Sequence, residues 1–350
     1  MPSACIKEMF VSTPMKHCIF AFFLCFTTAL CDIVIRPSDH LLMGTDYHLH
    51  SRRAENIKPE SGRIPDRLIH HITLPNEVPI DQGYENDFWG TVKFPPVPEF
   101  SIDTHDPVSQ DVYISASVHN GLKPWDDYVW FRLVSLLKGA TPGHTPVVVD
   151  VGANLGYFSL AAASLGAHVI AIEPMSRNAR KLAKSILKNK FEDKISLYQN
   201  IMWDEGSTGP LMLHATSASN QGNGQVLDGK SGNQGGVYGV GYANAVPLSY
   251  IVREDVDVLK IDAEGSESVV IAGAKRLICT FTVKHILMEF TDVKKRVGKY
   301  SAVEMLKFLD SVGYIVSDVA LHAPPLPVSD YESFPPNILF TLKGDRPVCV

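Results

Sequence analysis

The pattern of apolar and polar positions changes character near residue 110. From Asp32 to Pro107 no period is sustained, and prolines recur (Pro59, Pro65, Pro75, Pro79, Pro95, Pro96, Pro98), which predicts an extended, loop-rich segment. Beyond Asp111 the chain becomes regular. Apolar residues at helical spacing run from Trp125 to Leu137 and stop before Gly139. Val147-Val-Val149 is a β-branched run of the kind found in a strand buried on both faces. A small-residue helix from Tyr157 to Leu165, a strand His168–Ile172, an amphipathic helix Ser176–Asn189 and a strand Lys194–Ile201 follow. The alternation resumes with a strand Val256–Ile261, a helix Ser268–Ile278 and a strand His285–Phe290. Ser301 and Glu304 then make a capping-box start for a helix running to Val312. Two last strands, Tyr314–Val319 and Asn337–Leu342, have no convincing helix between them and predict an antiparallel end to the sheet. Strand–helix alternation of this kind implies an α/β fold with a doubly wound, mainly parallel sheet.

One stretch departs from the alternation. Ser217 to Gly241 is rich in Gly, Asn, Ser and Gln, and reads as a surface insertion, with a lid over a site as the alternative. The first 31 residues differ again. Lys16 precedes an apolar run from Cys18 to Leu30, and Ala29 and Cys31 stand at signal-peptidase spacing before Asp32. The run is shorter than the ~20 residues a spanning helix needs, so it reads as a cleaved secretory signal, with a type II anchor extended by Ile33-Val-Ile35 as the alternative. The expected organisation is therefore a signal or anchor at 1–31, a loop-rich extension at 32–107 and a catalytic-type α/β domain at 108–350, in the secretory pathway. Four cysteines (Cys5, Cys18, Cys25, Cys31) lie in or before the apolar run or at its edge; Cys279 and Cys349 remain, permitting one disulfide without demanding it.

Composition narrows the partners. With 45% hydrophobic and 20% charged residues the chain has the balance of a soluble globular protein, and a net charge of −6 argues against a nucleic-acid partner. Contact with a membrane is expected only through the N-terminal segment. His48-x-His50 and His70-His71 are candidate metal ligands, but no acidic or cysteine partner falls at a recognisable spacing, and no metal is assigned.

In an open α/β sheet, ligands bind beyond the C-terminal strand ends where strand order reverses. Asp150-Val-Gly152-Ala-Asn154-Leu-Gly156 lies at the end of the first regular strand and opens a helix. Gly152 and Gly156 let the backbone turn tightly and approach a ligand. The next strand ends in Glu173, whose carboxylate can accept from both hydroxyls of a ribose. Asn200, near the end of the third, could reach the base or cap the strand. The loop lacks the three-glycine dinucleotide spacing and has no Walker Lys-Ser/Thr pair. An acidic residue two before the first glycine suits S-adenosylmethionine (SAM), because Asp150 can help orient the cationic methionine end directly or through water. A second constellation, Lys260-Ile-Asp262-Ala-Glu264-Gly265, closes the fourth strand, and Glu289 adds a carboxylate at the same rim. A capped helix start and an edge salt bridge are the structural readings of these acids.

Taken together, the segments Val-Val-Asp-Val-Gly-Ala-Asn-Leu-Gly-Tyr-Phe-Ser, Ile-Glu-Pro, Leu-Lys-Ile-Asp-Ala-Glu-Gly-Ser-Glu and Ile-Leu-Met-Glu resemble the FkbM family of methyltransferases, over roughly Asp111 to Phe290. The resemblance implies a class I SAM-methyltransferase (Rossmann-like) fold and methyl transfer, usually to a hydroxyl oxygen of a sugar, polyketide or other small molecule. By motif position, Asp150, Gly152, Asn154 and Gly156 would line the cofactor loop, and Glu173 would hold the ribose. Asp262 and Glu264 would border the acceptor; a hydroxyl acceptor also benefits from a base, and Asp262 or Glu264 is expected to serve, directly or through a bound metal. Ser249 stands where the family commonly has an acidic residue. A non-catalytic SAM-fold or nucleotide-binding module and an NAD-dependent oxidoreductase are the competing classes, the latter disfavoured by the glycine spacing.

Overall fold

The computed structural model describes residues 69–72, 74, 86–215, 217, 219–220, 223–226, 238–344 and 349. The expected signal or anchor at 1–31 and His48 and His50 lie outside these residues. No helix among the described residues is long and apolar enough to cross a membrane.

Structure begins earlier than the loop-rich expectation for 32–107. Phe88–Val92 (β1) and Phe100–Thr104 (β2) pair as an antiparallel hairpin. Phe100 and Ile102 alternate inward and are fully buried, which is strand periodicity over too few residues to stand out beside Pro95, Pro96 and Pro98 in the connecting turn. A short helix Ile114–Asn120 (α1) and the helix Asp127–Lys138 (α2) follow, the second capped by the Asp126 side chain accepting from the Val129 amide.

The first parallel half of the main sheet then forms as the periodicity predicts. Val147–Val151 (β3), Tyr157–Ser164 (α3), His168–Ile172 (β4), Ser176–Asn189 (α4) and Ile195–Tyr198 (β5) alternate in order. Apolar alternation sends Val148 and Val169 to one core, with α2, α3, α4 and the hairpin, and Val149 and Ile170 to the other. The hairpin is clamped to α4 by the Asp103 amide donating to Ser185 Oγ at 2.8 Å and the Ser101 amide donating to Asn189 Oδ1 at 2.8 Å.

The predicted third strand divides. Its first part is β5; its end, Asn200–Met202 (β6), leaves the main sheet and joins a second one. That sheet, in the order β6-β9-β7-β8, also contains Gly209–Ala215 (β7), Gly224–Val226 (β8) and Tyr238–Val246 (β9). The Gly/Asn-rich stretch thus contributes ordered strands, which its composition conceals because few apolar residues mark them. A single turn Leu248–Ile251 (α5) leads back to Val256–Ile261 (β10), Glu267–Thr280 (α6) and Val283–Glu289 (β11). Ser249 Oγ donates to the Gly273 carbonyl at 2.8 Å and accepts from the Leu277 amide at 3.1 Å, pinning α5 to α6.

Ala302–Ser311 (α7), Tyr314–Asp318 (β12) and Asn337–Leu342 (β13) complete the chain, with Ser301 capping α7 as predicted. Cys279, near the end of α6, forms a disulfide with Cys349. The main sheet has seven strands in the order β12-β13-β11-β10-β3-β4-β5, and β13 runs antiparallel to both its neighbours. This is the class I, Rossmann-like architecture with its antiparallel end. From β3 the chain winds one way through β4 and β5, then returns to build β10 and β11 on the other side. The order therefore reverses between β3 and β10, and the crevice lies above their C-terminal ends.

Candidate functional site

Two loops meet at this reversal. The loop after β3 is tied to the end of β4, because the Gly152 and Ala153 amides both donate to the Ile172 carbonyl, at 2.9 and 3.0 Å. The loop after β10 is tied to β3 by the Asp262 amide, which donates to the Val151 carbonyl at 3.0 Å. Gly152 has φ +75° and sits so close to its neighbour that a Cβ would lie 1.8 Å from the Asp262 carbonyl oxygen. Its missing side chain therefore lets two strand-end loops touch, where the sequence suggested only an approach to a ligand. Gly156, also at positive φ (+86°), packs the start of α3 against Leu182, where a Cβ would come within 2.1 Å.

A small cavity of about 60 Å³ opens between these loops and the second sheet. Gly152, Asn154, Glu173, Asn200, Asp262 and Glu264 all line it. Sequence reasoning named all six. Leu213, Gly224 and Val226 form a further wall, so the strands of the insertion belong to the site. Asp150 and Gly156 lie behind the lining. Asp150 is 1% exposed, accepts from Ser159 Oγ at 2.6 Å, and stands 3.3 Å from Lys260 Nζ.

Glu173 is also buried. It accepts from the Asn154 and Met175 amides, each at 2.8 Å, and so locks the loop after β3 onto the end of β4. Burial outweighs these bonds and pushes its pKa up to about 7. Asn200 is engaged on both sides: its Oδ1 accepts from the His70 amide at 2.8 Å and its Nδ2 donates to the Asn244 carbonyl at 3.0 Å. The strand-end cap foreseen for Asn200 is present, and it recruits a segment upstream of the regular region. His71 lies against the ring of Tyr198, 4.8 Å between centroids. Among the described residues no group of three or more His, Cys, Asp or Glu side chains is placed to hold a metal ion.

The turn after β10 has a different electrostatic character. Lys260 Nζ lies 3.3 Å from Asp150 and 3.5 Å from Asp262. Burial disfavours its charge, but the two carboxylates override this and raise its pKa. Glu264, in the left-handed region at φ 51°, has its pKa pushed up to about 8 by burial and by the Asp262 and Glu267 carboxylates. Glu267, which sequence reasoning did not single out, is 1% exposed and accepts through Oε1 from the Ala263 and Gly265 amides at 2.9 and 3.0 Å. Burial raises its pKa to about 7. The only signal for it was a third acid in the run Asp262-Ala-Glu264-Gly-Ser-Glu267.

A second, much smaller recess, with room for about one water-sized group, is lined among others by Asp126, Lys260, Glu289 and Asn337. Asp262 is the one residue that lines both.

The family model for the methyltransferase FkbM domain matches residues 150–316, from the loop after β3 into β12. No curated protein matches the chain. Distant likenesses exist among solved structures. The methyltransferase FkbM from Methylobacillus flagellatus KT is 13% identical, with 65% of this chain and 66% of that one covered and a TM-score of 0.32. An O-methyltransferase from Bacillus cereus in complex with SAH is 11% identical, with coverages of 62% and 81% and a TM-score of 0.33. The precorrin-6y C5,15-methyltransferase from Geobacter metallireducens GS-15 is 12% identical, with coverages of 63% and 88% and a TM-score of 0.33.

Proposed function

We propose that the domain transfers a methyl group from SAM to a hydroxyl oxygen of a small molecule or glycan. The observation that carries this reading is the junction at Asp262, where a cavity built by the methyltransferase motifs meets a second one. The residues of the larger cavity fit the cofactor. Asn154 Oδ1 is buried with no hydrogen-bond partner among the described residues, an orphaned acceptor in the lining. Glu173, held by two main-chain amides, keeps lone pairs for ribose hydroxyls. Ile201, Met202, Leu213 and Val226 offer an apolar wall suited to an adenine ring. Asp150 acts at one remove, holding Lys260 and the start of α3 in place.

When bound, SAM supplies a sulfonium-activated methyl group. The work left to the protein is mainly alignment, exclusion of water and acceptance of a proton. Asp262 is placed to take the hydroxyl proton, because it faces both cavities and Lys260 holds it from one side. Glu264, with its pKa near 8, holds a proton through most of the neutral range and serves better as a donor than as the base.

The Cys279–Cys349 disulfide supports a place in the secretory pathway, since such bonds persist in oxidising compartments. The function is tested by labelled-methyl transfer from SAM over a panel of hydroxylated glycans, lipids and polyketides. Transfer is expected to at least one hydroxyl class. A protein that binds SAM but methylates only nitrogen or carbon acceptors would refute the oxygen specificity, and a protein that binds no SAM would refute the whole reading.

A further inference from the structure

The match to the family model begins at residue 150, yet the chain ahead of it reaches the cofactor cavity's surroundings at three places. Residues 70–72 run antiparallel beside the end of β5. The Gln199 amide donates to the His70 carbonyl and the Ile72 amide to the Leu197 carbonyl, each at 2.9 Å, and the His70 amide holds Asn200. The Val112 amide donates to the Ser219 carbonyl at 3.2 Å, shortly before Gly224 and Val226 of the far wall. The third contact runs through side chains. His105 follows β2, is 1% exposed, and places Nε2 2.8 Å from Asn178 Oδ1. Asn178, fully buried in the first turn of α4, donates from Nδ2 to Glu173 Oε1 at 3.4 Å. In its carboxylate form Glu173 only accepts, so the amide turns its nitrogen to Glu173 and its oxygen to His105, and His105 carries a proton on Nε2. Burial drives Glu173 towards its neutral form, and the Asn178 bond works against this. His105 has little room to turn, because β2 is clamped to α4 by the Ser185 and Asn189 bonds and by the buried Lys181–Asp103 pair at 3.3 Å.

We propose that His105 is a positioning residue for the cofactor, and that through the Asn178 amide it holds Glu173 as an acceptor for the ribose hydroxyls. The segment upstream of the matched residues is then a working part of the site and not a linker to it. This rests on the SAM reading above. Neither His105 nor Asn178 lines the cavity, so each acts on a ligand only through Glu173. Without the Nε2 proton, the Asn178 amide loses the partner that sets its orientation. It is then free to rotate by half a turn and present its oxygen to Glu173, and two acceptors face each other. The carboxylate shifts or takes up a proton, and its grip on the hydroxyls weakens. The rest of the cavity lining keeps its own supports, so the loss is confined to the ribose.

The test uses the full chain and compares, by calorimetry, S-adenosylhomocysteine with its 2′,3′-dideoxyribose analogue. Wild type is expected to bind the hydroxylated ligand about tenfold tighter or more, as hydrogen bonds to a charged group require. In His105→Phe, which keeps a ring and removes the donor, that ratio is expected to fall by about fivefold, with affinity for the dideoxy analogue within about threefold of wild type. His105→Gln, whose amide nitrogen can stand where Nε2 stands, is expected to keep most of the ratio. Asn178→Ala should lower the ratio as His105→Phe does, and combining the two should add nothing, because both cut the same connection. An unchanged ratio in His105→Phe and Asn178→Ala would overturn the proposal. So would a loss shared equally by both ligands, which general loosening produces, or additive losses in the double variant. Should His105→Phe not fold, a ratio lost in Asn178→Ala and kept in His105→Gln supports the proposal, and any other pair of results overturns it. A wild type that binds both ligands equally would take Glu173 off the ribose and overturn the proposal with it. A wild type that binds no S-adenosylhomocysteine fails the cofactor reading itself, a result distinct from all of these.

Discussion

The two loops that meet above the sheet carry similar residues and use them in opposite ways. After β3 and β4, the acids are consumed by structure: Asp150 is spent on Lys260 and Ser159, and Glu173 on two main-chain amides. After β10 and β11, Asp262, Glu264, Glu267 and Glu289 crowd together, and burial and mutual repulsion raise the pKa of three of them. The first region is built to hold its shape around a ligand. The second keeps carboxyl groups facing the cavities at a cost in stability, as sites that move protons commonly do. Substitutions in the first region should therefore unfold or loosen the domain, whereas substitution of Asp262 in the second should silence it with the fold intact.

Asp150→Asn removes one charge from a buried pair and leaves Lys260 with a single, more exposed partner. A loss of about 3–5 kcal/mol in unfolding free energy is expected, measured by denaturant titration. A variant of wild-type stability would show that Asp150 is not structural. Gly152→Ala forces a methyl group against the Asp262 carbonyl and strains a positive φ, for an expected loss of about 2–4 kcal/mol together with weakened cofactor binding.

The pH dependence of stability draws on buried acids in both regions. Glu173, Glu264 and Glu267 have folded-state pKa values raised from 4.5 to about 7, 8 and 7. The folded state binds these protons more tightly than the unfolded chain, so their contribution is fully present below about pH 4.5 and is lost as the pH rises through 7 to 8. The melting temperature should fall across that window, and Glu267→Gln, permanently neutral, should flatten part of the fall. A melting temperature that rises from pH 5 to 8 in wild type would contradict the assignment. The smallest effect is expected for Glu264→Gln. At pH 7 it replaces a mostly protonated acid with a neutral isostere, so turnover should stay within about fivefold of wild type. A loss of several hundredfold would make Glu264 the base in place of Asp262.

How much of this was legible in the sequence follows from the range of each signal. Long β-branched runs such as Val147–Val151 and Val256–Ile261 mark buried strands whatever surrounds them, and the alternation with helices fixed the doubly wound class and its antiparallel end. The loop residues Gly152, Asn154 and Glu173 and the acids Asp262 and Glu264 follow from being at strand ends, because the fold itself gathers those ends. The β1–β2 hairpin and the second sheet were hidden. Their strands are short, flanked by proline or set among Gly and Asn, and are held by contacts with α4 and the cavity wall that no local pattern records. Asp126 and Asn337 were hidden for the same reason: 211 residues separate the partners of their hydrogen bond. Glu267 shows a different limit, since its role comes from burial under the turn and not from its place in a motif.

If the holding loop and the reacting turn divide the work at Asp262, Asp262→Asn separates the two roles. SAM affinity by calorimetry and methyl-transfer turnover would be measured on the same preparation. SAM affinity within about threefold of wild type and turnover reduced by about 10²–10⁴ are expected. Unchanged turnover with unchanged affinity would remove Asp262 from the chemistry and contradict that division.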